Sequence, residues 1–193
     1  MVSEQESSPE PGTVGSRRGL FALLSIFALV LVCAGGFYLY ARTVSAPVAK
    51  ALADETGADT RVYRRNWISS DEIVFDIRSV EGGISMADMT RRLLKAAEAL
   101  KGSDFTRVYL AYRGEERFVL EGSYFKRLGE ERGYQNPIYT IRTLPENVSN
   151  LDGSPAFGRW SGGWLGVMGR QLEDSNEFHR RWWVGDAMSD FTP

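Results

Sequence analysis

The sequence contains one cysteine and one histidine, and only four lysines, Lys50, Lys95, Lys101 and Lys126. Each scarcity excludes some chemistry. Cys33 lies inside an apolar run, so the remainder of the chain has no disulfide, no thiolate nucleophile and no thiolate metal ligand. A catalytic triad, or any site with two histidine ligands, would have to draw on His179 alone. A phosphate-cradling glycine loop is also missing, because Gly162-Gly163 and Gly166 are followed by no Lys-Ser/Thr pair. The formal net charge of −2 leaves no basic excess for nucleic acid. No catalytic set, metal or cofactor is therefore expected, and no nucleic-acid partner.

The chain does hold apolar residues in quantity. Hydrophobic residues make up 43% of it, too many for a disordered protein. Beyond the first forty or so residues about 150 remain, room for one domain with its own core. Leu20 to Tyr40 (LFALLSIFALVLVCAGGFYLY) carries no charge. As a helix rising ~1.5 Å per residue it spans roughly 31 Å, the depth of a hydrocarbon core. Phe37, Tyr38 and Tyr40 cluster at one end, where amphipathic rings favour headgroups. This stretch is expected to be a single transmembrane helix over residues 20–41, in contact with the lipid bilayer through residues 20–40.

The apolar run is longer than that of a cleaved signal peptide, which points to a retained signal-anchor. Ser16-Arg17-Arg18-Gly19-Leu20-Phe21 also resembles a twin-arginine export signal, and that alternative stays open. Arg17, Arg18 and the amino terminus on one side face Arg42 and Lys50 on the other, a slight bias toward a cytoplasmic N-terminus. Residues 1–19 then read as a disordered cytoplasmic tail, rich in Ser, Glu, Pro and Gly. Residues 42–58 read as a linker helix, with Pro47 in its first turn and Gly57 at its end, lifting the domain off the bilayer. Residues 59–193 form the domain, placed outside the cytoplasm.

Within that domain Thr60–Ile68 reads as a strand and Ser69-Ser70-Asp71 as a turn. Glu72–Ser79 alternates, with Ile73, Phe75 and Ile77 on one face and Asp76 and Arg78 on the other, which predicts a half-buried strand. Met86–Leu100 is the clearest helix. Ser85 and Asp88 make a capping box, Met86, Met89, Leu93, Ala97 and Leu100 form an apolar stripe, and Arg91, Arg92 and Lys95 lie off it. Phe105–Tyr112 and Arg117–Glu121 read as strands joined by a hairpin turn at Arg113–Glu116. Tyr124–Arg132 reads as helical. Ile138–Leu144 is rich in β-branched residues and reads as a strand, although Asn136-Pro137 is equally a helix cap. The expected class is α+β, an N-terminal transmembrane helix followed by one antiparallel sheet packed with helices.

The densest stretch is Phe157–Asp186, with four of the five tryptophans, the only histidine and four arginines. Trp164, Met168 and Leu172 are four apart, as are Phe178 and Trp182, and both sets suit one helical face. The stretch is one kinked helix or two. Gly162, Gly163, Gly166 and Gly169 weaken a helix but let another backbone approach. Three readings compete. The tryptophans complete the core; or Arg180, Arg181, Trp182 and Trp183 are partly exposed and bind a partner protein or the membrane surface; or His179 is a general acid or base. Glu173, Asp174 and Glu177 are expected on a solvated helix face rather than in glycosidase chemistry.

The function expected from these residues is that of a non-enzymatic binding or assembly domain, anchored by one span to the cell membrane and engaged with an envelope protein partner. The alternative is a membrane-tethered hydrolase using carboxylates, arginines and His179.

Overall fold

The computed structural model describes residues 14–66 and 71–190. The expected turn at Ser69-Ser70 and most of the expected N-terminal tail lie outside those residues. Helix α1 covers Val14–Ala51, so it begins inside the stretch expected to be tail. Its segment Ile26–Ala51 is long and apolar enough to cross a membrane. The chain divides into two units between Tyr40 and Ala41.

The unit from Ala41 is an α+β domain, as expected. Its single sheet has five strands, β1 (Ala58–Arg64), β2 (Glu72–Val80), β3 (Arg107–Tyr112), β4 (Glu115–Glu121) and β5 (Val148–Ser149), in the order β1-β2-β3-β4-β5. The sheet is mixed rather than wholly antiparallel, because β2 and β3 run parallel. Two parallel neighbours need a crossover, and helix α2 (Met86–Leu100) supplies it. The capping box that starts α2 is present, with Ser85 Oγ accepting from the Asp88 amide at 3.1 Å and the Asp88 carboxylate accepting from the Ser85 amide at 3.0 Å. Met89, Leu93, Ala97 and Leu100 are buried along the expected stripe. Arg92 is buried too, contrary to expectation, with Nη2 donating to the Thr56 carbonyl at 2.6 Å.

The hairpin turn is a two-residue loop. Arg113 (φ 55°) and Gly114 (φ 84°) both take positive φ, which matches the twist of the flanking strands. β2 is buried on both faces instead of one, because Val74 joins Tyr109 and Ala111 in a small apolar cluster on the outer face. The residues expected as a linker helix belong to the domain: Val44, Val48 and Leu52 are buried in its main core. Spaced by four, they give this end of α1 an apolar face that the sheet and helices cover.

Ile138–Leu144 is not a strand. Helix α4 covers Pro137–Thr143, with the Asn136 side chain capping the Ile138 amide at 2.9 Å and Pro137 in the first turn. Cap chemistry outweighs β-propensity, which is the weaker and more context-dependent signal. Helix α3 (Gly122–Glu131) precedes it, and two glycines of α3 determine how closely it packs. A Cβ on Gly122 would lie 1.7 Å from the Phe105 carbonyl oxygen, and one on Gly129 would lie 2.3 Å from that of Ala97. The close backbone approach expected of Gly162, Gly163, Gly166 and Gly169 is not made there, since nothing lies within 4 Å of a Cβ at any of the four.

The C-terminal stretch is helix α5 (Trp164–His179), a π-helical turn (Arg180–Val184) and helix α6 (Gly185–Asp190) in direct succession. The wide turn adds a residue to the repeat, so Phe178, Trp182, Trp183 and Ala187 all reach the core.

The glycine contacts predict opposite outcomes for one substitution at two places. Gly129→Ala forces α2 and α3 apart and should cost ~1–3 kcal/mol. Gly169→Ala meets open space on an exposed helix and should add up to ~1 kcal/mol. Urea unfolding of the two variants checks both signs.

Candidate binding surfaces

Helices α1, α2, α3, α5 and α6 all contribute to the main core on one face of the sheet, and His179 sits inside that helical layer with 1% of its surface exposed. Its neighbours fix its chemistry. The Trp183 indole Nε1 donates to His179 Nδ1 at 3.0 Å. An indole N–H can only donate, so Nδ1 is the acceptor and the ring proton resides on Nε2. Nε2–H then donates to Thr90 Oγ1, 3.0 Å away. Thr90 passes its own proton on to the Met86 carbonyl at 3.1 Å. Every donor in this relay has an acceptor when the imidazole is neutral. Burial lowers the His179 pKa to about 4. A threonine and a histidine 3 Å apart suggest a nucleophile and its base, but here the histidine donates to the hydroxyl and cannot take its proton. His179 ties α5 to α2.

The four residues expected to form a surface are divided by the structure. Trp182 is 0% and Trp183 5% exposed. Trp182 Nε1 donates to the Ala111 carbonyl of β3 at 3.2 Å, and its ring packs against Phe75, Phe178 and His179. Arg180 and Arg181 are exposed. Arg180 forms a two-pronged bond with Glu177, at 2.7 and 2.6 Å. Arg181 lies over the rings of Phe118 and Phe157 and donates to Asn150 at 3.2 Å. The reading in which the tryptophans complete the core holds for Trp182 and Trp183 and fails for Trp164, which is 67% exposed.

The outer face of the sheet is polar and satisfies its own charges. Arg65 reaches from the end of β1 over the Tyr109 ring, 3.8 Å from its centre, and binds Glu116 with two bonds and Glu72 with a third. The buried Asp76 carboxylate accepts from Tyr63 at 3.1 Å, Arg78 at 2.7 Å and the Gly114 amide at 3.0 Å. Burial, with the adjoining Asp76 carboxylate, pushes the Tyr63 phenol up to about 12. The arginines and carboxylates of this face thus neutralise one another. Among the described residues no cluster of three His, Cys, Asp or Glu side chains suits a metal.

Two of the apolar features that face solvent lie on the helical layer of the domain. A cleft of about 480 Å³ lies between α2, α3 and α4, with Leu94, Leu128 and Ile141 among its lining residues and Arg91, Glu131 and Arg132 beside them. Tyr134, Ile138 and Tyr139, on α4 and just before it, are exposed. The second feature is the start of α5 and the loop before it, where Trp160, Trp164, Leu165 and Leu172 are exposed. The expected apolar face of Trp164 and Leu172 is thus real but uncovered. No signal in the sequence distinguished it from the face of Phe178 and Trp182, because both have the same spacing. No protein-family model, curated protein or solved structure matches this chain.

Two predictions follow from these positions. Trp182→Ala should cost ~3–5 kcal/mol, whereas Trp164→Ala should change stability by no more than ~0.5 kcal/mol; thermal melts of the two variants compare them. The buried imidazole also sets a pH dependence. Its folded pKa of about 4 lies below the unfolded value of 6.5. Between those values the unfolded chain binds a proton that the folded chain refuses, so stability falls as pH drops from 6.5 to 4, by about 3 kcal/mol. In His179→Gln this component should vanish, and the variant should be ~1–3 kcal/mol less stable at pH 7, with one relay partner unpaired. Denaturant melts of both proteins between pH 4 and 8 supply the measurement.

Proposed function

We propose that this chain is a single-pass membrane-anchored protein whose domain lies outside the cytoplasm and serves as a non-enzymatic binding module of an envelope complex. The observation that carries this reading is the character of α1. From Ile26 to Tyr40 its side chains are exposed and carry no charge, and Val44, Val48 and Leu52 beyond them are buried in the domain core. The apolar part has the length of a bilayer's hydrocarbon core. A folded domain attached directly to such a helix is held at a membrane surface, where its partners would be other envelope proteins.

The cleft between α2, α3 and α4 suits the contact. Its volume accommodates one or two apolar side chains of a partner segment, with Arg91, Glu131 and Arg132 placed to select polar groups beside them. Tyr134, Ile138 and Tyr139 add exposed anchoring area of the kind enriched at interface centres. The locked tautomer of His179 weighs against the hydrolase alternative, because the sole histidine has no free acceptor nitrogen.

The reading has two separable tests. Alkaline phosphatase fused after Pro193 should be active, because that enzyme folds only where disulfides form; an inactive fusion beside an active cytoplasmic reporter would reverse the topology. A photo-crosslinking residue at Ile138 should give a discrete adduct with an envelope protein in native membranes, and one at Lys101 should not. Equal labelling from both positions, or from neither, would remove the cleft as the docking site.

A further inference from the structure

The exposed apolar start of α5 lies at a particular end of the domain. Arg64, Glu72, Arg107, Glu121 and Val148 lie at one end of the sheet, since Arg64 pairs with Ile73, Glu72 with Arg107, Arg107 with Glu121 and Leu120 with Val148. The chain enters the domain at this end, where Arg64 donates to Thr43 Oγ1 at 3.1 Å. The apolar segment is fixed to the same end at the opposite edge. The Ala156 amide donates to the Val148 carbonyl at 3.0 Å, and the Gln171 side chain bonds Glu146, two residues before β5. α5 then rises toward the far end, where Trp182 meets Ala111 and Arg113 pairs with Asp190. Trp164 precedes Gln171 by seven residues, so about 10 Å of helix lies before the contact with Glu146, and Trp164 and Leu165 at its start are exposed. Four strand spacings, about 19 Å, separate β1 from β5.

We infer that residues 158–172 form a wedge that enters the headgroup layer of the bilayer and seats the domain on the membrane at the β5 edge, across from the point where the anchor joins it. This rests on the anchored reading of α1. The chemistry of the segment agrees with it. GRWSGGWLGVMGRQL has two tryptophans, further apolar side chains and two arginines, but no acid. Trp164 and Leu165 are 67% and 73% exposed. Tryptophan settles at the boundary between acyl chains and headgroups, and arginine pairs with lipid phosphate. A protein partner could cover the same apolar surface, but the segment lies at the end of the sheet where the chain enters the domain, at Thr43, and on the anchored reading lipid is the nearest apolar phase there.

The test uses the full chain carrying Cys33→Ser and Leu165→Cys, with an environment-sensitive dye on the introduced thiol. The protein is reconstituted in phosphatidylcholine vesicles, with and without phosphatidylglycerol. A second preparation carries the dye through Glu115→Cys, at the opposite end of the sheet. At position 165 the dye should shift to the blue and be quenched by nitroxides placed near the lipid headgroups; at position 115 it should do neither. Adding Trp164→Asp should abolish the shift and leave the melting temperature unchanged. A dye at position 165 that reports water, in vesicles from which alkaline carbonate does not release the protein, overturns the wedge while the anchor stands. A shift that disappears when labelled protein is diluted with more lipid assigns the surface to a second copy of the chain and also overturns it. Release by carbonate removes the anchor itself and the wedge with it.

Discussion

Trp182 holds the domain together. Its indole proton goes to the carbonyl of Ala111 in a central strand, and its ring fills the space between Phe75 of the sheet and Phe178 of α5. A fully buried indole without an acceptor would carry a large desolvation cost. The bond to Ala111 therefore determines where the C-terminal helix lies on the sheet. That position in turn requires the π-helical turn, because a regular helix would carry Trp183 away from the core. With Trp183 turned inward, its N–H meets His179, and the relay continues to Thr90 and α2. One hydrogen bond to the sheet thus sets the helix geometry, the imidazole tautomer and the packing of α5 against α2.

The elements with two agreeing local signals were legible in the sequence. Helix α2 has both a capping box and an apolar stripe, and the hairpin has a glycine next to its turn residue flanked by strand-like runs. Errors arose where two signals conflicted or one had to decide alone. The β-branched residues of Ile138–Leu144 suggested a strand, whereas Asn136 and Pro137 start a helix. Helical spacing marked Trp164 and Trp182 alike, and only the tertiary fold distinguishes them, since α5 meets the sheet near its end and overhangs it near its start. The parallel pairing of β2 and β3 was implicit in a helix between two strands, a crossover that the expected antiparallel sheet did not take into account. The outer face resists interpretation from sequence for another reason. Arg65 and Glu116 are far apart in the chain and come together only through the order of the strands.

Charge is distributed so that one side of the molecule has little left to offer. On the outer face arginines and carboxylates consume one another, and Tyr63 and Tyr109 fill the remaining hydrogen-bonding positions. The ion pairs there are partly exposed, and such pairs contribute little to stability individually. What they do is keep an otherwise open sheet face wetted and unattractive to other strands or apolar surfaces. The apolar area left exposed by the domain is thereby concentrated around the helical layer, at the cleft beside α4 and at the start of α5.

Those two surfaces have different requirements. A cleft that recognises a partner protein must supply its affinity from its own contacts, against the full entropic cost of association. A wedge attached to a membrane anchor does not. For such a wedge the bilayer would already be present at an effective concentration set by the tether, and the link would be short, since Val44 is in the core four residues after Tyr40. A few exposed side chains, Trp164 and Leu165 among them, are then enough to bias the orientation of the domain, although they would not recruit a free protein to a bilayer. On the proposed reading, a domain held at two points about 19 Å apart would lose much of its rotational freedom, and its cleft would be presented to neighbouring membrane proteins at a nearly constant height and direction. Orientation of this kind lowers the cost of the cleft's own binding, so the weaker apolar surface would assist the more selective one.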